Sequence, residues 1–206
     1  MSAPLVLQGF GLGAGLIIAI GAQNAYVLRQ GLKHEHHFAI AAVCSLSDAL
    51  LIVLGGVGVG SLIAATPVLA DGAAALGAAF LFVYGALAFR RAWVGEKLDN
   101  GVDAPPARTL KSALLTALAF SLLNPHALLD TVVLLGGISG QYAWDQRVWF
   151  LGGAVCASFA WFFTLSIAAG KLAPLFKKPT TWRILDALIG MVMWAIAASL
   201  INGAFL

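Results

Sequence analysis

Six stretches of the chain are apolar for long enough to cross a lipid bilayer, and short polar segments separate them. They run approximately over Leu5–Val27, Phe38–Leu62, Ala73–Trp93, Leu110–Leu135, Val148–Ala169 and Ile184–Leu206. A spanning helix needs roughly 20 predominantly apolar residues, because the hydrocarbon core is ~30 Å thick and each helical residue advances ~1.5 Å. The pattern predicts an all-α polytopic integral membrane protein with six transmembrane helices. The first and fourth stretches carry polar interruptions toward their C-terminal parts and are read as broken helices.

One connection is long. Val94–Arg108 holds Glu96, Lys97, Asp99, Asn100, Gly101, Asp103, Pro105 and Pro106, which is linker chemistry. The expected organisation is a three-helix repeat over 1–93, a cytoplasmic linker over 94–109 and a second three-helix repeat over 110–206, all in one membrane domain. The halves carry matching signals. Asn24 and Asn124 interrupt the first and fourth stretches, Cys44 and Cys156 lie in the second and fifth, and Gly77 and Gly190 lie in the third and sixth, with Asp71 and Asp186 near the helix starts. Three helices is an odd number, so the second repeat is expected to be inverted relative to the first.

Composition agrees with lipid. The chain is 61% hydrophobic and 10% charged, whereas a water-soluble globule needs about 25% charged residues to cover its surface. The net charge of +3 is therefore read as membrane topology and not as a nucleic-acid footprint. Arg29 and Lys33 follow the first stretch. Arg90, Arg91, Lys97, Arg108 and Lys111 surround the linker, and Lys171, Lys177, Lys178 and Arg183 follow the fifth stretch. Only Arg147 falls on the other side, so the positive-inside rule places the odd-numbered loops in the cytoplasm and both termini outside. No basic residue precedes the first apolar run, so that run is expected to remain as a helix and not to be cleaved.

Candidate chemistry concentrates at the breaks. Asn124-Pro125 in an apolar run removes a backbone hydrogen bond, and in a bilayer the freed carbonyls need protein, water or ligand. Broken ends suit a zwitterion, with NH groups for its carboxylate and CO groups for its ammonium. The amides of Gln23, Asn24 and Asn124 add donors and acceptors. Asp48 and Asp130 are ionisable residues in spanning segments, which are functional candidates by default; the structural alternative is an ion pair, with Arg29 the obvious partner. His126 beside the break is a candidate for proton handling.

Other features carry less. His34, Glu35, His36 and His37 have no matching ligand set, so no metal and no cofactor is expected. Cys44 and Cys156 read as small hydrophobes. Gly9/Gly13, Gly11/Gly15, Gly56/Gly60 and Gly136/Gly140 are read as close helix packing within a protomer, a homodimer seam being the alternative. Trp93, Trp144, Trp149 and Trp182 sit near span ends, as an aromatic belt requires.

Gly21-Ala22-Gln23-Asn24-Ala25 followed by Val27-Leu28-Arg29-Gln30-Gly31-Leu32 closely resembles the first-helix signature of the L-lysine exporter (LysE) family of basic amino-acid exporters. Asn124-Pro125-His126 with Leu129-Asp130-Thr131 is similar to its fourth-helix signature, and Ser47-Asp48 and Phe80-Leu81 with Tyr84-Gly85 also fit. The resemblance covers essentially the whole chain. It implies a secondary active exporter of lysine or arginine in a bacterial inner membrane, driven by the proton motive force, with no enzymatic activity. The expected substrate contacts are Gln23, Asn24, Asp48, Asn124, Pro125 and Asp130, and the expected proton-coupling groups are Asp48, Asp130 and His126. Export of a neutral amino acid such as threonine or homoserine is the alternative; a thiol–disulfide carrier using Cys44 and Cys156 is a remoter one.

Overall fold

The computed structural model describes residues 3–18, 21–58, 67–94, 109–124, 128–172 and 178–205. These form α1 (Ala3–Ile18), α2 (Ala22–Lys33), α3 (His37–Gly56), α4 (Pro67–Val94) and α5 (Leu110–Leu122). A π-helical segment (Leu129–Leu135) follows and continues into α6 (Gly136–Ser139), α7 (Trp144–Leu172) and α8 (Pro179–Phe205). The protein is an all-α polytopic membrane protein. Among the described residues, α3, α7, Ala75–Val94 of α4 and Pro179–Ser199 of α8 are long and apolar enough to cross a bilayer, and α1 with α2 forms a bent pair that passes as one further span.

The surface is turned inside out relative to a soluble fold. Leu7, Leu46, Leu50, Leu76 and Val83 are half or more exposed, while Gln30, Ser45, Asp48, Ser121, Ser158 and Asp186 are buried. Apolar side chains stay outside because lipid is their solvent, and polar side chains turn inward to find partners.

Glycine sets the helix spacing. A Cβ on Gly9 would fall on the Phe150 carbonyl of α7, and one on Gly13 would sit 2.9 Å from Ala154 Cα. A Cβ on Gly153 of α7 would in turn strike the Val6 carbonyl of α1. The α1 and α7 backbones therefore touch with no side chain between them. Gly55 of α3 does the same against Thr131 and Val132 of the π segment, and Gly136 against Gly55. These contacts serve packing within the chain. Gly11 and Gly15 face open space, and Gly60 lies outside the described residues.

The first apolar stretch differs from its sequence reading. It does not run straight to Val27: α1 stops at Ile18 and α2 departs at 78° to it, continuing to Lys33. Arg29 and Lys33 are thus helical and not in a loop, and Arg29 is buried. Ion pairing lets α2 carry charge inside the protein, which a hydropathy window cannot register. Likewise Arg90 and Arg91 lie within α4, and Arg183 within α8. Left-handed His34 and His36 (φ 56° and 51°) turn the chain from α2 into α3. Trp93, Trp144 and Trp149 are exposed as a belt requires, but Trp182 is only 7% exposed. It packs with Leu32 and Ala169, and Arg29 and Lys33 stand over its ring, at 5.9 and 5.6 Å from the centroid.

Candidate functional site

The Asn24 side chain braces the bend between α1 and α2. Asn24 Nδ2 donates to the Ile17 carbonyl (2.8 Å), a group the end of α1 would otherwise leave bare. Its Oδ1 accepts from Trp161 Nε1 of α7 (3.0 Å). Gly21, in extended conformation, precedes α2, and its carbonyl accepts the first α2 bond from Ala25 N (3.0 Å). Both ends of the Asn24 amide thus brace the broken helix.

One residue earlier, the buried Gln23 joins a cluster of buried polar side chains. Its Nε2 donates to Ser121 Oγ on α5 (3.1 Å), and Ser121 Oγ donates back to the Ala117 carbonyl (3.0 Å). The Gln23 amide also lies against the Asp48 carboxylate and the Cys44 thiol of α3. Asp48, the twelfth residue of the 20 in α3 and 3% exposed, accepts from Ser158 Oγ of α7 at 2.9 Å. Among the described residues no Arg, Lys or His pairs with it. Neutral dipoles from α2 and α7 thus hold a buried carboxylate that has no counter-charge among the described residues. That arrangement favours a mobile cation or a proton, since an isolated ionised carboxylate in an apolar interior is costly.

The second break lies close by. Leu123 N bonds the Ala119 carbonyl (2.8 Å) as α5 ends, and the buried Asn124 passes its carbonyl to Leu128 N (3.1 Å) to restart the helix. The chain then runs as a π-helix through Asp130 and the buried Thr131; such segments are rare and cluster at functional sites. Pro125 and His126 lie outside the described residues, as does the side chain of Asp130.

The sequence reading brought together Gln23, Asn24, Asp48 and Asn124. It missed Ser121, Ser158 and Trp161, which carry no motif in apolar helices. Its expected partner for Asp48 or Asp130 is elsewhere: Arg29 Nε pairs with Asp186 Oδ1 at 3.0 Å, and Arg91 Nε reaches the same oxygen at 3.1 Å. Arg29 points that way because Trp182, one turn from Asp186 on α8, supports its guanidinium face. The two cysteines differ, Cys44 being buried and Cys156 exposed, so they do not face one another.

Residues 14–203 match the family model described as LysE type translocator. The chain is 43% identical over 194 residues to an arginine exporter protein (ArgO) of Yersinia enterocolitica, covering 94% of each chain. It is 41% identical to the ArgO arginine exporter of Serratia proteamaculans, again over 94% of each. Against that of Salmonella enteritidis it is 40% identical, over 94% of this chain and 91% of the relative. No solved structure matches it.

Proposed function

Because this chain belongs to the LysE type translocator family, we propose that it exports arginine across a bacterial inner membrane, coupled to the proton motive force. The three relatives named above are arginine exporters, and the chemistry of the polar cluster around Asp48 suits that substrate. The observation that carries the reading is Asp48, a carboxylate in mid-span that neutral partners alone hold among the described residues. A guanidinium supplies the charge this site lacks. The broken ends near Gln23 and Asn124 then take the amino-acid backbone, and Asn24 keeps the break in shape.

Moving a cation out of a cell that is negative inside works against roughly 2.3 kcal/mol per 100 mV. Exchange with an inward proton removes that electrical cost and leaves the pH gradient as the driving force. A single carboxylate makes the exchange exclusive, since a protonated Asp48 has no charge for a guanidinium to meet. Asp130, in the π segment, is the second carboxylate of this scheme, and His126 and Pro125 adjoin it in sequence. Six spans in two inverted halves, with both termini outside, fit the two breaks and the segregation of basic residues.

The test is radiolabelled arginine transport in proteoliposomes under an imposed pH gradient, with lysine and threonine as competitors. Wild type is expected to move arginine, and Asp48→Asn to lose gradient-driven transport by tenfold or more. Normal transport by the variant rejects the coupling role, and competition by threonine equal to that by arginine rejects the substrate.

A further inference from the structure

Asp186 sits at the end of the protein where the basic residues gather. It is 1% exposed and holds two guanidinium groups on one oxygen, Arg29 from α2 and Arg91 from α4. Resting on the arginine-export reading, we propose that Asp186 is a docking carboxylate for the substrate's guanidinium, which takes the place of Arg91 there.

The two arginines are not held alike. The Arg29 side chain is 4% exposed and lies over Trp182, whereas that of Arg91 is 20% exposed. Arg91 Nη2 is buried with no hydrogen-bond partner among the described residues. Two cations on one carboxylate oxygen also repel each other, so the less buried one is the exchangeable partner. An incoming guanidinium has the same charge and the same planar fork, so it can make the same contact with Asp186 Oδ1. Lysine matches the charge without the fork. The Tyr84 ring, 5.5 Å from Arg91 Cζ, is the aromatic face beside this position.

Position gives the exchange a consequence. Arg29 lies six residues beyond Gln23 on α2, roughly 9 Å along the helix. Between them Tyr26 packs on Tyr84 and Phe120, with ring centroids 6.2 and 5.2 Å away, and Tyr84 packs on Phe120 at 4.6 Å. A substrate arriving from this end meets Asp186 first, then the aromatic layer, then the polar cluster around Asp48. Freeing Arg91 removes the ion pair that joins α4 to α8 at the outer edge of that layer, while the packing of Phe82 and Phe89 on Trp194 keeps the two helices together.

The experiment uses the full-length chain in proteoliposomes and measures KM and maximal rate for arginine loaded from the Asp186 end. Asp186→Asn is expected to raise KM at least tenfold with maximal rate per folded protein within threefold, and Asp186→Glu to recover part of the affinity. Arg91→Gln vacates the position and is expected to lower KM severalfold. A folded Asp186→Asn with wild-type KM overturns the proposal. Should that variant not fold, an unchanged or raised KM in Arg91→Gln overturns it. If wild type moves no arginine, the export reading fails and this one with it; wild-type transport with unaltered variants sinks only the docking role.

Discussion

Ser158 of α7 and Asp48 of α3 are 110 residues apart in sequence, yet their side chains meet in a buried 2.9 Å hydrogen bond. That bond ties the fifth apolar stretch to the second and fixes which way the carboxylate faces. Ser158→Ala removes a hydrogen bond to a charged group, worth about 1.5–3 kcal/mol. The expected result is a lower unfolding temperature in detergent and a reduced arginine export rate. Ser158→Thr keeps the hydroxyl and should retain more of both.

Asn24 predicts a graded pair. Asn24→Ala leaves the part-buried Ile17 carbonyl without its donor, at a cost of about 1 kcal/mol, the low end for an unsatisfied group. Trp161→Phe removes the donor to Asn24 Oδ1 but leaves the bond to Ile17 in place. Thermal unfolding should therefore rank wild type above Trp161→Phe, and Trp161→Phe above Asn24→Ala. The reverse order would mean that the indole, not the bend, is what the amide serves.

Glycines on opposite sides of α1 make a contrast. Gly13→Ala drives a methyl against Ala154 Cα at 2.9 Å, and overpacking of this kind costs about 1–3 kcal/mol. Gly15→Ala meets nothing within 4 Å and gains up to ~1 kcal/mol of helix propensity. Yield and unfolding temperature should fall for the first and hold or rise for the second. Equal losses at both would indicate that α1 is covered on its Gly15 side by another molecule.

Arg147 gathers the helix ends at the face opposite Asp186. Its Nη1 donates to the Gly56 carbonyl at the end of α3 (2.9 Å), and Nη2 reaches the Gly140 and Tyr142 carbonyls (3.3 and 3.4 Å). A guanidinium serves several carbonyls at once and an ammonium does so poorly. Arg147→Lys should thus lose most of the stability that Arg147→Ala loses, despite keeping the charge.

The break and the mid-span carboxylate were legible in the sequence because each violates its surroundings. Gln23-Asn24 and Asn124-Pro125 are polar in apolar runs, and Asp48 is charged in one. Ser121 and Ser158 were not legible: a serine in a spanning helix is cheap and common, and only the fold shows what it faces. The partner of Arg29 was hidden for another reason. Pairing with Asp186 crosses 157 residues, and hydropathy scores each charge as if it stood alone. The same blindness ended the first helix too early and put Trp182 at the surface.

The Ile17 carbonyl, satisfied by Asn24 from within the chain, has a bearing on the transport cycle. A carrier whose broken helix relied on its cargo for that bond would be costly to reset empty, and would be confined to swapping one solute molecule for another. Here the chain itself supplies the donor at the bend. A bend closed by the chain's own amide does not depend on cargo for that bond, and such a carrier is suited to net efflux.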